Sequence, residues 1–212
     1  LRSPSQKKWL ASPSWSQLKG CSRSSKRRWP KEGAENIKVV QKRWEDVTVA
    51  DDLDPPYDVV IASFSLGIPD IQAAIEKMIE AASGHIYLYH FAGETHWDRD
   101  LRELWPKLHG KEYTPGPKSD VLYNVLYQMG IYPNVRTFQL RHSQRFASME
   151  EAMEHFRHQY HITTAAQEAI VQEHLARVLK EVEEGGYVMP ASSIRVKIWW
   201  EKGSQEGELA ES

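Results

Sequence analysis

One cysteine, Cys21, stands among 212 residues. That excludes an intramolecular disulfide framework and any zinc site built from several cysteines. No apolar run reaches the roughly 18 residues that a membrane span needs. Residues 1–25 lack the apolar stretch of a signal peptide. These absences predict a soluble, cytoplasmic protein with no membrane partner. Residues 1–36 contain no Val, Ile, Phe, Tyr or Met, so they hold little that can build a core.

What that head does contain is eight Ser, three Pro, three Trp and a strong charge bias. Residues 1–31 hold nine of the 27 Lys and Arg and no acidic residue, leaving 18 basic against 29 acidic residues in the body. A net charge of −2 therefore divides into a head of +9 and a body of −11. An acidic body is a poor partner for nucleic acid, because phosphate contacts need clustered Lys and Arg. Residues 1–36 read as irregular. They fit a disordered basic arm, a vector-derived remnant, or out-of-frame translation ahead of an authentic body. One coding of Lys26-Arg27-Arg28-Trp29-Pro30, read in a neighbouring frame, gives the helix-forming string Glu-Lys-Met-Ala.

From Ile37 onward strands alternate with helices. Ile37 to Val40 is a short β-rich run. Tyr57 to Phe64 is nearly continuous apolar sequence, predicting a strand buried on both faces of a parallel sheet. Ile71, Ala74, Ile75, Met78, Ile79 and Ala82 follow helical spacing, with Pro69 at the start and Gly84 as the stop. Ile86 to Phe91 predicts a second buried strand. Helices are expected over 98–108 and 119–129, and a strand over 135–141. A capping box, Ser148 to Glu151, opens a further helix. A longer one is expected from about Thr164 to Glu184, ended by Gly185-Gly186. Ile194 to Trp200 alternates as a half-exposed or edge strand. Residues 203–212 form an acidic tail. The fold class is α/β, a doubly wound, mostly parallel sheet with an antiparallel strand pair and a two-helix insertion at about 148–184.

This order resembles the C-terminal two-thirds of a class I S-adenosylmethionine-dependent methyltransferase, over roughly Ile37 to Lys202. Ile37 to Asp46 looks like that family's third strand and following loop. Tyr57 to Leu66 looks like its fourth strand and the motif after it, and Ile86 to Phe91 like its fifth strand. Residues 135–141 and 194–200 look like its closing antiparallel pair. The resemblance implies S-adenosyl-L-methionine as cofactor and methyl transfer as activity, and the acidic body favours a small-molecule substrate over nucleic acid. It also implies a Rossmann-like sheet. The family holds its cofactor with a glycine-rich loop after strand one, but the twelve glycines here include no Gly-x-Gly. The first strands belong where residues 1–36 sit. The expectation is a truncated body, impaired in cofactor binding. Alternatives are a non-enzymatic binding or scaffold domain, and a nucleic-acid methyltransferase with a basic arm.

The resemblance carries cofactor contact onto Trp44, Glu45, Asp46, Ser63, Phe64, Ser65 and Leu66. Substrate contact falls on His90, His96 and Trp97. Each has a plainer reading: a solvated loop, a core cap, a strand-to-helix connection, or a satisfied histidine. No catalytic residue is assigned, because displacement at a sulfonium methyl needs positioning more than acid–base help. Asp54-Pro55-Pro56-Tyr57 resembles the catalytic tetrapeptide of amino-group methyltransferases, but it precedes its strand, so a turn is expected. His155, His158, His161 and His174 lack a cysteine partner, and no metal site is expected from them. The helices at 148–184 suit a substrate cover or a homodimer face.

Overall fold

The computed structural model describes residues 9–11, 37–183 and 185–203. The expectations for the rest of the basic head and for residues 204–212 fall outside the described residues. The described chain divides into two compact units. The first combines residues up to His90 with 121–136 and those from Lys197 on, and the second combines 91–120 with 137–196.

In the first unit, strand β1 (Trp9–Ala11) pairs in parallel with β2 (Ile37–Val39) as a separate two-stranded sheet. Residues 9–11 carry no signal for β1, because three residues are too few to show a period. A 3-10 turn (Trp44–Asp46) and the short helix α1 (Val49–Asp52) lead to β3 (Tyr57–Ser63). Asp54 to Pro56 form the irregular link into β3, which begins at Tyr57. The Asp54 N–H donates to the Tyr57 hydroxyl at 2.9 Å, and Tyr57 is buried with Val47, Val49, Leu53 and Ala81.

Helix α2 (Ile71–Ala81) starts at Asp70, whose carboxylate accepts the Ala73 N–H at 3.0 Å. It buries Ala74, Ile75, Met78 and Ala81. Strand β4 (Ala82–Phe91) follows directly and pairs with β3 in parallel. Val60 lies opposite Ile86 and Ala62 opposite Leu88, so these four share one face. Ala62, Ile86 and Leu88 are buried. Val59 and Ile61 share the other face, and they are 43% and 45% exposed. The expectation of a strand buried on both faces is therefore wrong for β3. A continuous apolar run reports composition, and it does not say whether both faces find a cover.

Gly84 is also reassigned. It lies inside β4, where a Cβ would stand 2.5 Å from the Asp58 carbonyl oxygen. Its role is close approach of two backbones, and α2 ends earlier, at Ala81.

The sheet runs in the order β3-β4-β7-β5, where β5 is Asn134–Phe146 and β7 is Tyr187–Glu201. Helix α4 (Ser119–Gln128) precedes β5. Gly84 accepts from the Lys202 N–H, and Ile194 accepts from the Ala92 N–H. Rising numbers on β4 meet falling numbers on β7, so the two are antiparallel. Asn134 reaches the Trp199 carbonyl, and the Phe146 carbonyl crowds Gly186. By the same logic β5 and β7 are antiparallel. The expected antiparallel pair is present, but β7 is an interior strand of the sheet rather than an edge.

The second unit holds α3 (His96–His109), α5 (Met149–Gln159) and α6 (Ala165–Val178). Leu101, Leu104, Phe156, Tyr160, Val171 and Leu175 are among the residues of their shared core. Helix α6 is shorter than expected. After Leu179 the chain enters β6 (Lys180–Glu181), which pairs antiparallel with Tyr187 and Val188 of β7. Gly185 and Gly186, both at φ +88°, make this hairpin's turn instead of stopping the helix. Val178, Leu179 and Val182 have helical spacing, but the helix stops at Val178 and the strand takes the polar pair Lys180–Glu181. No helix among the described residues is long and apolar enough to cross a membrane.

Candidate functional site

The carboxyl end of β3, and β4 up to His90, lie in the first unit. Ser63 is exposed there, Phe64 and Ser65 are half-buried, and Leu66 is buried. Phe64 has φ +52°, in the left-handed region that bulky side chains avoid. Its N–H donates to the Tyr89 carbonyl at 3.0 Å, which ties the turn to β4. Held strain of this kind gathers at ligand-binding positions. His90, half-buried, ends the β4 portion of this unit.

The Trp44–Asp46 turn is engaged by the protein itself. The Trp44 indole N–H donates to the Ala74 carbonyl at 3.1 Å, and its ring packs beside the Val47–Tyr57 cluster. Lys77 donates to the carbonyls of Trp44, Glu45 and Val47 at 2.9, 3.0 and 2.8 Å. Asp46 pairs with Arg43 at 2.9 Å, and that hydrogen bond holds its carboxyl below the usual range. Of the three, Glu45 alone presents an exposed carboxylate that makes no hydrogen bond or ion pair among the described residues, although its charge acts on Arg43. Trp44 is a core cap and Asp46 half of a surface pair.

His96 and Trp97 lie in the second unit, at the start of α3. They line a cleft of about 160 Å³ with Asp100, His142, Phe156 and Tyr160, and also with Gln144, Gln159 and Met189. The start of α3 is fixed by a capping box, and the helix begins at His96, two residues before the expected 98. The Thr95 hydroxyl accepts the Asp98 N–H at 3.2 Å, and Asp98 accepts the Thr95 N–H at 2.9 Å. Asp98 is 1% exposed and also takes Lys118 at 2.8 Å and the Tyr113 hydroxyl at 3.1 Å. Burial alone would raise this carboxyl, but Lys118 and Thr95 outweigh it and pull it below the ordinary value. The string Thr-x-x-Asp before the helix is the signal that could have found this box.

The His96 ring meets Trp97 and His142 edge-on, with centroids at 4.9 and 5.3 Å. Its Nδ1 is buried with no hydrogen-bond partner. Burial, then His142 and Arg99, push its pKa down to about 4, so the ring is neutral near pH 7. Trp97 stacks edge-on against Phe91 at 4.9 Å. Arg195, buried, lies over the Phe91 ring at 4.2 Å and the Trp97 ring at 5.9 Å. Asp100, His142 and Tyr160 were missed as cleft residues, because they come from three separate elements and no spacing joins them.

Of the four histidines weighed as metal ligands, His155 and His158 are exposed on α5. His161 follows that helix at φ +53°, and His174 is buried in α6 beside Arg177.

No family model and no curated protein matches the chain. Among solved structures it is similar to a candidate methyltransferase from Bacillus halodurans C-125. That match has 15% identity and a TM-score of 0.44, covering 80% of this chain and 73% of the other. It is also similar to the YcgJ protein of Bacillus subtilis, at 11% identity and a TM-score of 0.47, covering 93% and 84%. These likenesses are loose. The α/β assignment rests on the order and sense of the strands themselves.

Proposed function

We propose that the chain carries the acceptor-side body of an S-adenosylmethionine-dependent methyltransferase acting on a small molecule. The observation that supports it most is Phe64. It is held in a left-handed conformation at the carboxyl end of a parallel strand, with a hydroxyl on each side. Ligands of open α/β sheets bind at such strand ends. The residues present fit the cofactor in part. Ser63, Ser65 and the Leu66 wall can line one side of it, and Glu45 can accept from an adenine amino group. Trp44 and Asp46 are already committed elsewhere and do not fit.

The cofactor supplies an electrophilic methyl group when bound. The chain's own residues then orient and exclude water.

Calorimetric titration with S-adenosylmethionine tests the reading. Weak binding is expected, because no glycine-rich loop is present to hold the cofactor's amino-acid end. Ser65→Val should weaken it at least tenfold. A second reading, a binding domain without catalysis, is favoured by the internal engagement of Trp44 and Asp46. Absence of any cofactor binding at millimolar concentration would select it and overturn the first.

A further inference from the structure

The cleft of the second unit has a chemistry that narrows what can enter it. Its volume, about 160 Å³, is close to that of a cavity that admits a single benzene ring. Trp97, Phe156 and Tyr160 supply aromatic walls, and Met189 adds an apolar one. Among the described residues that line it, one carries a carboxylate, Asp100, and none is a lysine or arginine.

Asp100 is half-buried, and no described residue makes a hydrogen bond or ion pair with its carboxylate. Burial is the largest influence on it and raises its pKa, ahead of His174 and Arg99, which act the other way. A desolvated carboxylate without a partner is costly, and proteins usually pair such a group. Of the arginines that act on it, Arg177 is paired with Glu103 at 2.7 Å, and Arg99 is exposed and makes no ion pair with it. Aromatic faces beside a carboxylate favour a cation over an anion, because ring quadrupoles and the carboxylate attract the same sign. His96 adds a neutral acceptor whose Nδ1 has no partner.

We propose that this cleft binds a ring-sized organic amine, with its ammonium on Asp100 and its ring against Trp97, Phe156 and Tyr160. The proposal deepens the reading of a small-molecule acceptor and rests on it for any link to methyl transfer. The binding itself does not depend on that reading.

Benzylamine is the probe, titrated into the full chain with no methyl donor present, by calorimetry and by Trp fluorescence. Benzyl alcohol and benzoate are the neutral and anionic comparisons. Benzylamine should bind with Kd below about 1 mM, at least tenfold tighter than benzyl alcohol, and benzoate should not bind. Asp100→Asn should remove the preference for the amine. Should that variant fail to fold, Gln159→Lys places a competing ammonium at the exposed end of α5 and should weaken benzylamine at least tenfold. Equal binding of amine and alcohol would overturn the proposal. So would an unchanged affinity in the variant that folds, or no benzylamine binding at all. Because the donor is absent throughout, a failure here is separate from a failure of donor binding.

Discussion

At the scale of single residues, two buried groups set how the second unit responds to acid. Asp98 takes four donors from Thr95, Tyr113 and Lys118. Asp98→Asn leaves the Lys118 ammonium half-buried with its partner gone, which should cost about 3–5 kcal/mol in a urea unfolding experiment. The Asp98 carboxyl is depressed in the folded protein. Its contribution is present above the unfolded carboxyl value and is lost as pH falls through the lower folded one. His96 works in a higher window. Its folded pKa is about 4 against an ordinary 6.5, chiefly through burial and then His142. The neutral ring therefore stabilises the fold above pH 6.5, and the benefit disappears as pH falls from 6.5 towards 4. His96→Gln should flatten the melting temperature between pH 6.5 and 4. An unaltered profile, or a His96 ring that titrates near 6.5 by NMR, would contradict this.

At the scale of elements, close backbone approach and carbonyl capping decide what the sequence pattern leaves open. Gly84→Ala puts a methyl 2.5 Å from the Asp58 carbonyl, inside the β3–β4 pairing. A destabilisation of about 1–3 kcal/mol is expected, read as a fall in the denaturation midpoint. Lys77→Met removes the three carbonyl contacts that fasten the Trp44 turn to α2. It should cost about 1–3 kcal/mol and speed hydrogen exchange at the Trp44–Val47 amides. An unchanged exchange rate would show that the turn holds without Lys77. These same contacts explain what was legible. The β3–α2–β4 order was readable, because long periodic segments bury one face and advertise it. The parallel sense of β3 and β4 followed from that order. The ends were not readable, since Gly84 and Gly185-Gly186 look alike in sequence whether they stop a helix, sit in a strand or turn a hairpin. The candidate site was half legible. Ser63 to Leu66 follow a strand and can be named from it. Asp100, His142 and Tyr160 meet only after α3, β5 and α5 have packed, and nothing in their spacing anticipates it. The indole of Trp44 also had to be seen hydrogen-bonded before its role as a core cap could be told from contact with a base.

At the scale of the whole molecule, the exposed face of β3 is the feature most at odds with a sheet expected to be covered on both sides. Val59, Ile61 and Ser63 line it, and His85, Tyr87 and Tyr89 stand opposite them on β4. Strand β3 ends the described sheet, so its outer edge has no partner strand among the described residues. An apolar face beside an unpaired edge is a template for association. The body's acidic excess opposes that tendency, since like charges keep molecules apart and salt screens them. Self-association should therefore rise with protein concentration and with salt in sedimentation velocity runs. Val59→Lys with Ile61→Lys should suppress it, and thermal stability should change little, because both side chains are exposed in the folded chain. A chain that stays monomeric at high concentration and high salt would mean that this face is not sticky. Association that survives both lysines would place the contact elsewhere, and the exposed Phe138 and Leu140 of β5 would be the next residues to replace.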